Sequence, residues 1–201
     1  MTEERLQRRL AAILAAYVGG YSYLMGEDEA RTLSALRSLR NEVIGPTVAG
    51  HHGKLIKSMG DGWLVEFNSA VETVNCALRI QDSLRPHDFI KLRIGIHIGD
   101  VVHEDDDIFG DGVNVAACSQ EISDPGDLTI SEPTYCSLDG TLSPIFDDGG
   151  TRQLKNIGRR MHVWRARERR GNNKVTSSMS GTNSIADMPS MAIVPIETSD
   201  D

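Results

Sequence analysis

Cysteine is scarce in this chain. Cys76, Cys118 and Cys136 are the only three in 201 residues, they lie far apart, and none belongs to a CxxC pair. That pattern argues against a zinc site and fits a reducing compartment. Positive charge is also short, with 21 Lys and Arg against 29 Asp and Glu for a net charge of −8. Phosphate-backbone binding needs a basic face, so nucleic acid is not the expected partner. A nucleotide carried with divalent cations stays compatible with this balance. No apolar run approaches the ~20 residues a membrane helix needs. The start, Met-Thr-Glu-Glu-Arg-Leu-Gln-Arg-Arg, has charges but no signal-peptide core behind it, so the expected compartment is cytoplasmic, with no membrane contact. No Walker lysine motif occurs, and Gly110-x-Gly112 is too short for a dinucleotide fingerprint. The rest is ordinary globular usage, 39% apolar and 25% charged. It predicts one domain with a real core and something appended.

What the chain does have is organised around residues 56–67, Ile-Lys-Ser-Met-Gly-Asp-Gly-Trp-Leu-Val-Glu-Phe. Two apolar runs flank a Met-Gly-Asp-Gly centre. Asp-Gly between such runs signals a hairpin, because the tight turn needs positive φ. The pattern predicts a strand over 54–59, a turn over 60–62 and a strand over 63–67. The turn presents one carboxylate, Asp61. Period two puts Lys57 on the face of Leu55 and Met59. Two readings stand for a lysine there: an apolar stem with its ammonium in water, or a donor aimed at a ligand.

Residues 10–18, Leu-Ala-Ala-Ile-Leu-Ala-Ala-Tyr-Val, are apolar on both faces and suit a central buried strand, although the alanines leave a helix open. Gly19, Gly20, Tyr21 and Ser22 follow. Consecutive glycines after a buried strand let amides converge on an anion; a plain strand-to-helix turn is the other reading. Residues 27–44 carry Ala30, Leu33, Leu36, Leu39 and Val43 at helical spacing, with Pro46 to end or bend the helix. Ser69 reads as the N-cap of a helix to about 84. Residues 91–104 alternate Leu92, Ile94, Ile96 and Ile98 with Arg93, Gly95, His97 and Gly99, which predicts a long strand. His97 and His103 have no metal-ligand partners at useful spacing and read as structural. An acidic loop, Asp105-Asp106-Asp107, runs into a helix over 112–122. Asn114 and Cys118 are four apart and share a face of that helix. A strand over 128–131, a helix over 133–138 and a closing strand over 161–165 complete the pattern.

Three stretches together resemble the class III nucleotidyl cyclases, in particular the bacterial adenylate cyclase type: residues 8–25, 57–62 and 107–117. The similarity covers about 8–165. It implies an α/β (α+β) fold with a ferredoxin-like core, a mainly antiparallel sheet flanked by helices. It implies a cyclase homology domain over 1–167. A flexible linker is expected over 168–188, and 189–201 resembles the start of a truncated TolB-like second domain. It implies ATP as ligand, Mg²⁺ or Mn²⁺ at a two-metal site, and a head-to-tail homodimer, or a heterodimer with another cyclase domain. One subunit then supplies the metal residues and the other the base pocket and transition-state residues. Asp61 matches the second metal aspartate. Lys57 and Asp107 match the pair that reads adenine: N1 accepts from a lysine and N6 donates to a carboxylate, whereas guanine reverses that edge. Asn114 matches the asparagine that positions the ribose, and Lys155 matches a phosphate-binding lysine; Gly20, Tyr21 and Ser22 are expected to bind substrate on the glycine reading above.

Two positions depart from the resemblance. Tyr17 stands where the family has its first metal aspartate, and Cys118 stands where it has the transition-state arginine. A neutral phenol is a poor ligand for a cation that wants hard oxygens in octahedral geometry. A thiol has neither the fixed charge nor the donor fork of an arginine. The expectation is a cyclase-family domain with weak or absent turnover; the alternative is a non-catalytic nucleotide-binding or dimerisation module.

Overall fold

The structure, a computed structural model, describes residues 7–86, 89–104 and 106–167. Residues 8–18 fold as a strand, not a helix: β1 (Gln7–Val18) buries Ala12, Leu14 and Ala16 on one face and Ala11, Ile13 and Ala15 on the other. Its neighbours are the hairpin β2 (Lys54–Ser58) and β3 (Gly62–Phe67) on one side and β4 (Leu92–Glu104) on the other. The sheet continues through β6 (Leu128–Ser131), β8 (Arg160–Ala166) and β7 (Phe146–Gln153), while β5 (Asp107–Phe109) pairs with β4. Among the described residues these eight strands form one sheet in the order β2-β3-β1-β4-β6-β8-β7, antiparallel everywhere except between β4 and β6.

Two helices set the layers. α4 (Ala70–Leu84) begins as expected at Ser69, whose Oγ accepts from Glu72 N at 3.3 Å, and buries Val74, Ala77 and Ile80 against one face. α5 (Asp111–Glu121) lies on the other face. Its seat is Gly95 of β4, where a Cβ would come within 2.3 Å of Ala116 O and 2.2 Å of Gln120 N. Only glycine permits that approach, and it fixes the face carrying Asn114 and Cys118 relative to β1.

Four expectations are corrected. The single helix over 27–44 is instead α1 (Tyr21–Glu27), α2 (Glu29–Ser38), a π-helical turn (Leu39–Ile44) and α3 (Gly45–Gly50). Asp28 breaks it by capping α2, its carboxylate accepting from Arg31 N at 2.9 Å, and Pro46 opens α3 rather than ending a helix. The acidic run ends in a strand, because Ile108 pairs with His103 and is buried. β7 was not expected at all. Lastly, a bulge between Leu55 and Lys57 breaks the period of two. Leu55 pairs with Val65, while Lys57 pairs with Leu64 on the opposite face.

Lys57 on β2 bonds to Asp107 on β5, although β3, β1 and β4 lie between them. Flat strands spaced about 4.8 Å apart would hold β2 and β5 roughly 19 Å apart. The sheet therefore curls at this end. Its concave side encloses Ile13, Leu64, Val101 and Ile108. No helix among the described residues is long and apolar enough to cross a membrane. The linker and second-domain expectations for 168–201 lie outside the described residues.

Candidate functional site

The sequence-predicted residues fall into two groups. The first gathers at the β2–β3 turn and the concave face. Lys57 Nζ donates to Asp107 Oδ2, and Asp107 Oδ1 accepts from Ile108 N at 2.9 Å. The lysine bond, then the amide, hold the Asp107 carboxyl below its ordinary value. So the ammonium is neither buried alone nor free in water; about half of the side chain is exposed, and its head is paired.

Tyr17 ends β1 opposite Gly62, and its ring lies flat against that glycine: a Cβ there would meet Tyr17 Cδ1 and Cε1 at 2.6 Å. The phenol donates to Met59 Sδ at 3.3 Å. Asp61 sits in the turn that closes over the end of β1, its carbonyl accepting from Val18 N at 2.8 Å. Burial first, and the Asp61 charge second, raise the Tyr17 pKa above its ordinary 10.0. The hydroxyl stays neutral. Beside this pair is a cavity of about 330 Å³ lined by Tyr17, Asp61, Arg93, Gln120 and the turn 20–23.

That turn takes the plain strand-to-helix form. Gly19 N donates to Lys91 O at 2.8 Å, and Gly20 O accepts from Tyr23 and Leu24 to start α1. The amides of Tyr21 and Ser22 are left without intrahelical acceptors, as at any helix start.

The second group lies along α5. Asn114 is exposed, and one turn on Cys118 Sγ donates to Lys155 O at 3.2 Å. Burial, and then Glu121, push the thiol pKa up, against a smaller opposing effect of Lys155. Thus the structure brings Cys118 to the Lys155 backbone, with the exposed Lys155 side chain in solvent. The Glu121 charge raises the pKa of both Cys118 and Tyr17, on each as a lesser cause than burial. A larger cavity of about 540 Å³ at the start of α5 contains none of the sequence-predicted residues.

Sequence reasoning passed over Arg93. It is paired with Tyr17 across β1 and β4, it lines the Asp61 cavity, and its buried Nε has no partner among the described residues. The alternation of β4 set Arg93 on the face of Gly95, His97 and Gly99, where a cation is ordinary, so the sequence carried no signal that marked it. His97, expected as structural, is buried with Nδ1 2.7 Å from Ser131 Oγ, and burial lowers its pKa to about 4.

A two-ion centre can be tested against these residues. Among the described residues no three His, Cys, Asp or Glu side chains lie close enough to hold a metal. Asp61 is the one carboxylate in the turn, and the phenol beside it points at a thioether. This donor set does not fit two divalent cations.

The mostly antiparallel sheet with α4 and α5 on its two faces is the architecture of the class III cyclases. Adenylyl cyclase CyaB from P. aeruginosa superposes with a TM-score of 0.70 over 80% or more of each chain, 83% of this one and 98% of that one, at 21% identity. A cyclase structure from Silicibacter pomeroyi, described as an "Adenylate/Guanylate Cyclase/Hydrolase", gives a TM-score of 0.75 at 40% identity, covering 81% of this chain and 99% of that one. A Rhizobium meliloti protein named "Putative adenylate cyclase 3" is 44% identical over 171 residues, 82% of this chain but only 29% of that protein. The chain thus spans less than a third of that relative's length. Residues 26–165 match the adenylate and guanylate cyclase catalytic domain family, and the chain belongs to it.

Proposed function

We propose that residues 1–167 form a cyclase homology domain that binds ATP in preference to GTP and converts it to cyclic AMP and pyrophosphate weakly or not at all when alone. The observation that carries this reading is the pairing of Lys57 with Asp107. A donor and an acceptor side by side complement adenine N1 and N6, and they oppose guanine's edge. Asn114 is assigned to the ribose, and Lys155 and the turn residues Gly20, Tyr21 and Ser22 to the phosphates. The reaction of the family is attack of the ribose 3′-oxygen on the α-phosphorus. Here two of its supports are missing. Tyr17 is a neutral phenol engaged with Met59, and Cys118 is a thiol engaged with a carbonyl. Phosphoryl-transfer arginines contribute roughly 10³–10⁵ in rate, and a thiol supplies none of that charge stabilisation.

Assembly follows the head-to-tail homodimer that the resemblance implies, or a heterodimer with another cyclase domain. The two departures fall on opposite halves of such a composite site, so a partner with an intact site restores only one per site.

The test is ATP and GTP titration of the pure chain with and without Mn²⁺, with cyclic AMP measured at the end. The expected result is an ATP preference with little or no cyclic AMP. Lys57→Glu with Asp107→Cys is expected to shift preference toward GTP, because donor and acceptor exchange. Equal affinity of the unmodified chain for the two nucleotides would sink the base assignment. Failure to bind either would favour a dimerisation module instead.

A further inference from the structure

We propose that Arg9 and His103 close on the buried carboxylate of Glu66 as a clasp across three strands that holds Asp107 against Lys57, which makes Glu66 a positioning residue for base selectivity. The selectivity part rests on reading Lys57 and Asp107 as the base-reading pair; the positioning part does not.

The three residues come one each from β1, β3 and β4, the strands that separate β2 from β5. Glu66 Oε1 accepts from Arg9 Nε at 3.0 Å and Arg9 Nη2 at 2.6 Å, and His103 Nε2 lies 3.0 Å from the same oxygen. The Glu66 side chain is 2% exposed, and its Oε2 is buried without a partner among the described residues. A carboxylate so placed is an odd choice for stability. Taking a carboxylate out of water is costly, and its partners Arg9 and His103 both stay partly exposed while Oε2 has none among the described residues. The acid needs another reason, and the topology offers one.

Glu66 is paired with Ile13 and faces the concave side of the curl. Drawing Arg9 and His103 onto one oxygen pulls the ends of β1 and β4 toward β3. His103 is paired in register with Ile108, the neighbour of Asp107, and Glu104 is paired with Asp107 itself. So the clasp grips β4 at the residue that carries β5. β5 is three residues long and pairs with β4 alone among the strands. Its approach to β2 depends on the curl of the strands between, and the clasp is the polar link that joins all three.

The experiment uses the full chain and two variants, Glu66→Gln and Arg9→Met. The Arg9 side chain is 51% exposed, so Arg9→Met tests the clasp even where Glu66→Gln fails to fold. Two readouts are taken beside a thermal melt. The first is titration of the Asp107 carboxyl by ¹³C NMR without nucleotide. The Lys57 bond holds that carboxyl below its ordinary value, and loosening the clasp should return it toward the ordinary range. The second is the ratio of ATP to GTP affinity, expected to fall roughly fivefold, the worth of one net hydrogen bond. Asp107→Asn is the control. If that control leaves the ratio unchanged, the base-reading assignment fails, while the Asp107 titration still decides the positioning. An Asp107 carboxyl that titrates identically in the unmodified chain and both variants overturns the clasp. A carboxyl that moves while the ratio holds, with the control moving it, overturns the selectivity role.

Discussion

Two regions of the molecule meet their electrostatics in opposite ways. Where β2 meets β5, Lys57 and Asp107 are opposite charges that partner one another, both with part of the side chain in solvent. At the end of β1 and on α5, Tyr17 and Cys118 are neutral, and each has found a local partner, the Met59 thioether and the Lys155 carbonyl. The difference matters for what a ligand would meet. A half-exposed ion pair is worth only about 0–1 kcal/mol, so it can exchange its internal bond for a nucleobase at little cost. The phenol and thiol offer no charge to exchange. On the proposed function, the groups assigned to recognition are kept as an ion pair, and those assigned to chemistry are replaced by neutral groups with partners of their own. Arg93 is the exception, a cation that is paired across the strands with Tyr17 and whose buried Nε has no partner among the described residues.

The largest expected effect comes from undoing the two neutral replacements. Tyr17→Asp puts a carboxylate beside Asp61, and Cys118→Arg puts a fixed charge on the Asn114 face of α5. Neither suffices alone, because each leaves the other support missing, and residues acting as a unit are non-additive. Cyclic AMP production with Mn²⁺ is expected to rise in the double variant by more than the product of the single effects. The scale is the roughly 10³–10⁵ attached to such arginines. Turnover of four proteins measures it: unmodified, each single, and the double. An unmodified chain already running at an ordinary ~1–10³ s⁻¹ would mean that the reading of these two regions is wrong.

A smaller effect concerns how Tyr17 is seated. The ring occupies the space a Cβ on Gly62 would need, at 2.6 Å. Gly62→Ala is expected to cost about 1–3 kcal/mol, the usual range for overpacking. In the Tyr17→Asp background the ring is gone and most of that cost should go with it. Melting temperatures of the four combinations give the coupling. Equal costs in both backgrounds would show that the phenol is not what fills the space beside Gly62.

Much of this was legible in the sequence where one period held over a whole element. β1 shows its two buried faces, β4 its alternation and α4 its cap at Ser69; the hairpin turns within the Met-Gly-Asp-Gly stretch as expected, but its positive φ falls on Gly60, ahead of the Asp-Gly pair. The failures share a physical cause, local chemistry overruled by pairing at a distance. Asp105-Asp106-Asp107 has the composition of a solvated loop, yet Ile108 beside it pairs with β4 and is buried. Asp147-Asp148-Gly149-Gly150 looks like a turn, and β7 accommodates it by a register shift between Asp148 and Thr151. A bulge that no composition announces moved Lys57 to the other face. At the site, Lys57 and Asp107 are 50 residues apart and meet only because the sheet curls. Family resemblance linked them; periodicity alone did not. Glu66 was readable as a charge within an apolar strand but carried no spacing to a partner.

The smallest effect is the most direct probe of the region around Tyr17. Burial and then the Asp61 charge raise the Tyr17 pKa, with a smaller contribution from Glu121, while Lys57 lowers it. The folded chain therefore holds the phenolic proton more tightly than the unfolded chain does. By linkage, the resulting stability is fully present below the ordinary value of 10.0 and is lost as pH rises through the raised folded value. Tyrosines labelled at Cζ report the titration of Tyr17 by NMR, with Tyr17→Phe assigning its resonance. Asp61→Asn should bring the Tyr17 pKa part of the way down, since burial, the larger cause, remains. Glu121→Gln should move it less, because its charge has the weaker effect. The order of those two shifts is what counts. A larger response to Glu121 than to Asp61 would place the phenol closer to α5 than to the β2–β3 turn. Tyr17 would then not stand beside the turn carboxylate, and the contrast between the two regions would lose its structural basis.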